Sequence, residues 1–278
     1  LKQSFPQITT TKIHLDPRFP ISRKMALNVG IKSAHYECMV FTSTDAVPQT
    51  DRWLSLMAKG FMRGEIVVGY CGVERGKGFS NYMMRAWRMM HSADWIARAV
   101  QRRAYRGTLH NYGFTKSLYF GANGFSHLNM NIGEDDLFMQ RVMTRDNVSV
   151  ILSPRASLRE KMWGGMGWWM SQLRYFGSAF RFYPRAVKTF VRWEIGSRVL
   201  FFATVVCALA VMPPEYKLAA LLLAVIRYVV VAFEVRRIAR RLGEGGIAGR
   251  YFIYDLLGPL WAAALGAMLL RRDNRVWR

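Results

Sequence analysis

The chain has 278 residues, 51% hydrophobic and 14% aromatic, a composition too apolar for a disordered basic tail. Its 40 Lys and Arg against 18 Asp and Glu leave a formal charge of +22, so its partner or surroundings are anionic: nucleic acid, an acidic membrane surface or a phosphorylated substrate. Three Cys and five His fall at scattered positions that match neither a disulfide framework nor a zinc site, and Cys38, Cys71 and Cys207 read as reduced core residues.

In chain order, ITTTKIHL (8–15) predicts a strand, RKMALNVGIKSA (23–34) a helix and CMVFTST (38–44) a strand running up to Asp45. TDRWLSLMAKGFM (50–62) predicts a helix with a Trp, Leu and Met face, and EIVVGYCGV (65–73) one further strand. NYMMRAWRMMHSADWIARAVQRRAY (81–105) predicts a long helix whose Met and aromatic stripe faces a core, and VSVIL (148–152) a later strand. Strands alternating with helices imply an α/β sheet with ligands at the carboxyl ends of its strands, which is where Asp45 falls. Between these elements lies GEDDLF (133–138), three consecutive acids in a basic chain. They mark either a solvated helix N-terminus, where acids meet the positive end of the dipole, or a site that needs a base, a metal ligand or both.

The character of the chain changes near residue 195. VLFFATVVCALAVM (199–212) carries no charge, Pro213 and Pro214 interrupt it, and residues 218–233 run apolar apart from Arg227. This predicts a helical hairpin whose arms are short for a bilayer unless Arg198, Lys217 and Glu234 snorkel; the alternative is a buried hairpin in a soluble core. Arg236, Arg237, Arg240 and Arg241 follow the second arm while the connecting MPPEYK is nearly neutral, which puts the arginines in the cytoplasm and the tip outside. A third apolar segment, residues 251–270, holds Asp255, Gly258 and Pro259 and either spans or lies at the interface. Arg227 and Asp255 are each costly in hydrocarbon and are candidates for pairing or for lining a polar path. No signal peptide is visible and residue 1 is not Met, so the chain is expected to be a fragment.

Lys24 in RKMAL, FTSTDAVPQTDRWL, GTLHNYGFTK, GEDDLF and WWMSQLRYF together resemble, in order and spacing, the motifs of family 2 glycosyltransferases, in particular bacterial membrane-anchored members. The resemblance covers residues 1–195 and implies a GT-A-like (Rossmann-like) α/β domain over 1–190. That domain would be incomplete at the front, lacking the two strands that hold the nucleotide base, and would be followed by a membrane region over 191–278. It implies an inverting transfer from a nucleotide-sugar donor to a glycan or lipid acceptor. Asp135 would be the general base, with Glu134 and Asp136 raising its pKa or anchoring the loop. Asp45 would hold Mg²⁺ or Mn²⁺, and Arg174 would meet the diphosphate or a loop carboxylate. Lys24, Ser43, His110, Asn111 and Tyr175 would line the donor side. Ser43 stands at the first acidic position of the family's Asp-x-Asp element and Asp45 at the second, Ser171 stands where the family has Gln, and Tyr175 where it has an aromatic ring or His. Trp163, Trp168 and Trp169 would stack on a sugar or sit at the membrane interface. The expected partners are the donor, the acceptor and a bilayer with anionic lipids, and no nucleic acid. A basic nucleic-acid-binding protein, supported by WIARAVQRRAYR, and an inactive membrane scaffold are the rival readings.

Overall fold

The computed structural model describes residues 4–13, 22–108, 110–125, 134–180 and 182–270. Among these residues the strands run in chain order as β1 (Cys38–Phe41), β2 (Ala46–Pro48), β3 (Ile66–Gly69), β4 (Cys71–Val73), β5 (Tyr112–Thr115), β6 (Val148–Ile151) and β7 (Leu158–Glu160). The helices are α1 (Arg23–Ser33), α2 (Trp53–Gly60), α3 (Phe79–Val100), α4 (Lys116–Gly121), α5 (Glu134–Val142), α6 (Met166–Phe180), α7 (Arg185–Val211), α8 (Pro214–Leu242) and α9 (Tyr251–Leu270). The architecture is mixed α/β, with two sheets rather than the single one expected, and flanking helices.

The first sheet has the order β1-β5-β3-β6, in which β5 runs against its neighbours and β3 parallels β6; the second has the order β2-β7-β4. The stretch EIVVGYCGV supplies both sheets, because the strand breaks at Tyr70. There the backbone carbonyl accepts from the Asn111 side chain at 2.9 Å and from the Leu158 amide at 3.1 Å, which turns the chain from one sheet into the other. Ile66, Val67 and Val68 are fully buried, with α2 packed on β3 and β6 and α3 on β4 and β6. Burying each of these apolar side chains stabilises by ~1.5–3 kcal/mol.

Residues 8–13 form no strand, and His14 and Leu15 of that prediction lie outside the described residues. The long helix stops at Val100 rather than Tyr105, because Arg102 adopts φ +59° and cannot continue it. Only Cys71 of the cysteines is buried, and burial raises its thiol to about 12; Cys38 and Cys207 are exposed.

Among the described residues two helices are long and apolar enough to cross a membrane: α7 with 27 residues and α8 with 29. Each is ~40 Å long at about 1.5 Å per residue, beyond the ~30 Å of a hydrocarbon core. The apolar runs are short by themselves, and the helices reach this length because Arg198, Lys217 and Glu234 at their edges stay helical. Pro213 and Pro214 open α8 with Glu215 in its first turn; Arg240 and Arg241 occupy its last turn, and Gly243 closes it at φ +69°. The apolar windows of α7 and α8 are only 6% buried. Arg227 of α8 donates to Asp255 of α9 at 2.5 Å, and Arg198 of α7 reaches the other oxygen of Asp255 at 3.6 Å while also pairing with Glu194. The expected Arg227 and Asp255 pair thus exists, as the centre of a network joining three helices.

The sequence boundary at residue 190 falls inside α7, and the last helix folds back: α9 packs on α3, α6 and α7. Trp169 of α6 is fully buried with its ring 5.0 Å from Trp261 of α9. Just past α8, Glu244 is 4% exposed and closes a buried cluster. It accepts from Arg85 of α3 at 2.7 Å, from Arg159 of β7 at 2.9 Å and from the Tyr70 hydroxyl at 2.8 Å.

Candidate functional site

The acid triplet opens α5, so the carboxylates of Asp135 and Asp136 sit at the positive end of a helix dipole. They are not solvated, however: Asp135 is 2% exposed and Asp136 1%. Burying two adjacent carboxylates requires specific partners, and the two have different ones. Asp135 accepts from the Tyr175 hydroxyl of α6 at 3.1 Å, and that hydroxyl in turn accepts from Arg23 of α1 at 3.3 Å. Asp136 accepts from Arg106 Nε at 3.1 Å and from the Tyr183 hydroxyl at 2.8 Å. Burial, opposed by Arg106 and assisted by Asp135, raises Asp136 to about 7. The Arg106 guanidinium lies over the Phe176 ring at 4.5 Å and also meets His91. Burial, then Arg106 and Arg88, hold His91 well below its usual range, so its ring is neutral and can accept. The Glu134 side chain lies outside the described residues, and so do residues 126–133 just before it.

Asp136 is thus the anchor of this turn, and Tyr175 is a hydroxyl that donates to Asp135. Three sequence motifs meet here: the acid triplet, Tyr175 from WWMSQLRYF and Arg23, next to Lys24 in RKMAL. Lys24 itself is half-buried on α1. Arg174 is exposed, and it is the following residue, Tyr175, that turns inward. Ser171 donates to the Trp168 carbonyl at 2.6 Å. Gln172 accepts from Arg88 at 3.4 Å.

Asp45 lies half-buried in the turn from β1 to β2, held by the Ala46 amide donating to the Ser43 carbonyl at 3.2 Å. Ser43 Oγ is buried with no hydrogen-bond partner among the described residues. A lone carboxylate beside an orphaned hydroxyl suits Mg²⁺ or Mn²⁺ only when substrate phosphates supply most of the ligands. Among the described residues no group of three or more His, Cys, Asp or Glu is placed to hold a metal ion.

His110 faces Glu160 of β7 at 3.5 Å, and its Nδ1 is buried without a partner among the described residues. Asn111 is fully engaged in the scaffold: its amide donates to the carbonyls of Tyr70 at 2.9 Å and Ala156 at 3.0 Å, and its oxygen accepts from Trp53 at 3.0 Å. Of the tryptophans assigned to sugar or membrane, Trp169 is core, Trp163 is exposed under the Lys161 ammonium at 4.6 Å, and Trp168 is half-buried.

Sequence reasoning missed the cations and phenols that balance the acids: Arg106, Tyr183, Arg88 and Arg85. For Arg85 and Arg88 the signal was present in α3, where they stand three residues apart and so share one helix face, the face that turns inward to Glu244 and Glu160. Comparison with protein-family models gives no match, and comparison with curated proteins gives none either.

Proposed function

We propose that this chain is a membrane-bound glycosyltransferase of GT-A-like fold, moving a sugar from a nucleotide-diphosphate donor to a glycan or lipid-linked acceptor with inversion. The observation that carries the reading is a relay of residues far apart in sequence, Arg23 donating to the Tyr175 hydroxyl and that hydroxyl donating to the buried Asp135 carboxylate. In the reaction, Asp135 takes the proton of the acceptor hydroxyl as that oxygen bonds to the anomeric carbon, and the bond from that carbon to the diphosphate oxygen breaks. Tyr175 orients the carboxylate. Asp136, tied to Arg106 and Tyr183, fixes the first turn of α5 so that Asp135 cannot swing away. Asp45 with Ser43 would hold the divalent cation, which when bound neutralises charge on the departing diphosphate. Lys24 lies on the same helix as Arg23 and would meet donor phosphates.

The membrane assignment rests on α7 and α8. Leu200, Val206, Leu222, Leu223 and Val229 are among the large apolar side chains exposed along them, a surface far larger than a soluble protein leaves bare. The nucleic-acid reading is weakened because two of the four arginines of WIARAVQRRAYR are spent internally: Arg106 is buried on Asp136, and half-buried Arg98 lies over the Phe190 ring at 3.4 Å, while Arg102 and Arg103 stay exposed.

Asp135→Asn tests the assignment. It keeps the volume and the hydrogen bond from Tyr175 but cannot take a proton, so turnover should fall ~10²-fold or more with donor affinity nearly unchanged. An equal loss of donor affinity, measured by titration of the donor nucleotide, would remove Asp135 from the role of base.

A further inference from the structure

A cleft of about 380 Å³ opens between the loop after β4 and the loop from β7 to α6. Arg75, Lys77 and Lys161 line it against a single carboxylate, Glu74. All four are exposed. The walls are fixed before any ligand arrives: Asn81 donates to the Glu74 carbonyl at 2.9 Å and accepts from the Gly76 amide at 2.9 Å, so the loop is tied to α3. On the other wall, the Lys161 amide donates to the Asp45 carbonyl at 3.3 Å. Phe79 and Met162 add apolar surface.

The cleft's position connects two regions already described. Through Lys161 it borders the turn that carries Asp45. Through Arg75 it borders the loop leaving α8, since a Cβ placed on Gly246 would lie 3.6 Å from the Arg75 guanidinium. That loop follows directly on Arg240 and Arg241, at the end of the hairpin opposite Pro213. Two ammonium groups and a guanidinium fork around a pre-shaped cleft suit the tetrahedral oxygens of a phosphate. A ligand there, at the membrane end of the domain, can keep acyl or prenyl chains in the bilayer. The geometry points to this cleft as the site for the phosphate group of a membrane-borne acceptor, a reading that rests on the transferase function proposed above and gives its acceptor a chemical class.

The test uses the full chain in a non-ionic detergent, titrated calorimetrically with dioctanoyl phosphatidate, with dioctanoyl phosphatidylcholine and with inorganic phosphate. The expected result is that phosphatidate binds more tightly than either of the others. Lys77→Glu with Lys161→Glu should weaken phosphatidate ~10²-fold or more, at roughly tenfold per lost charged hydrogen bond. Lys77→Arg with Lys161→Arg should restore affinity to within a few fold, and unchanged melting temperatures should show that these exposed substitutions spare the fold. Unchanged phosphatidate affinity in the Glu variant overturns the site. So does an equal loss on reversing Lys59 and Arg63, which would mean diffuse charge attraction. Inorganic phosphate binding as tightly as phosphatidate overturns the membrane-borne source. Asp135→Asn should keep phosphatidate affinity while losing turnover. A wild-type protein that binds phosphatidate through these lysines but transfers no sugar would overturn the transferase and leave the phosphate site standing.

Discussion

Glu160 is 3% exposed at the end of β7, with Arg88 donating at 2.9 Å on one side and His110 on the other. Burial pushes its carboxyl up, but His110 and Arg88 outweigh burial and bring it down to about 2. A depressed carboxyl contributes stability that is present above its unfolded value and lost as pH falls through its folded one. Thermal melting of the detergent-solubilised protein should therefore show stability declining from near pH 4.5 toward pH 2 through this group, and Glu160→Gln should flatten that part of the profile. Equal slopes for both proteins would assign the acid sensitivity elsewhere. Asp136 has the opposite sign. Its raised carboxyl, at about 7, favours the folded state at low pH and withdraws that stability as pH climbs toward neutrality. Within one motif the neighbours are held differently, Asp136 by Arg106 and Tyr183 and Asp135 with Tyr175 donating to it. The letters GEDDLF cannot show that difference, since Arg106 and Tyr183 arrive from outside the motif. Legibility in the sequence followed the range of the interaction. Asp45 at a turn past β1 and the acids at a helix start are local patterns, and both were readable. The inward turn of Tyr175 instead of Arg174 depends on how α6 packs, which no local pattern records.

Among the elements, the helices were the most legible, because periodicity and caps are local: α1 begins where the Ser22 hydroxyl accepts from the Met25 amide at 3.1 Å, and α9 covers the segment expected. The strand EIVVGYCGV was misread for a physical reason. A continuous apolar run says that every residue is buried but not that it passes between two sheets, and the switch at Tyr70 is made by Asn111 and Leu158, both distant in sequence. The clamp after α8 is another arrangement that only packing reveals. Glu244 neutralises Arg85 and Arg159 together, so Glu244→Ala strands two buried or half-buried guanidinium groups and should destabilise by ~3–5 kcal/mol. Glu244→Gln should cost less, because it keeps hydrogen-bond acceptance while losing the charge. Thermal melting of the two variants beside wild type checks the order, and equal stability of the Ala variant and wild type would show that the cluster is replaceable by water.

At the scale of the molecule, orientation follows from charge. Arg236, Arg237, Arg240 and Arg241 crowd one end of α8 and a nearly neutral turn holds the other, so the sheets and the acid cluster should face the cytoplasm, where nucleotide-sugars are made. A single cysteine at Glu215, in a variant lacking the three native ones, should react with a membrane-impermeant maleimide on intact spheroplasts. One at Arg241, which is exposed, should react only after lysis, and the reverse pattern would invert the protein. The fold-back of α9 and the buried Glu244 carry a practical consequence for anyone preparing the protein. Residues 1–190 are not a detachable unit: cut there, the fragment keeps Arg85 and Arg159 without their shared counter-ion and bares the Trp169 face that Trp261 covers. Such a fragment should collect in inclusion bodies even though every membrane segment has been removed. For the same reason, a ribosome must finish α7 and α8 and emit much of α9 before the front of the chain can settle, so under the proposed membrane assignment bilayer insertion would be a step in folding the α/β half.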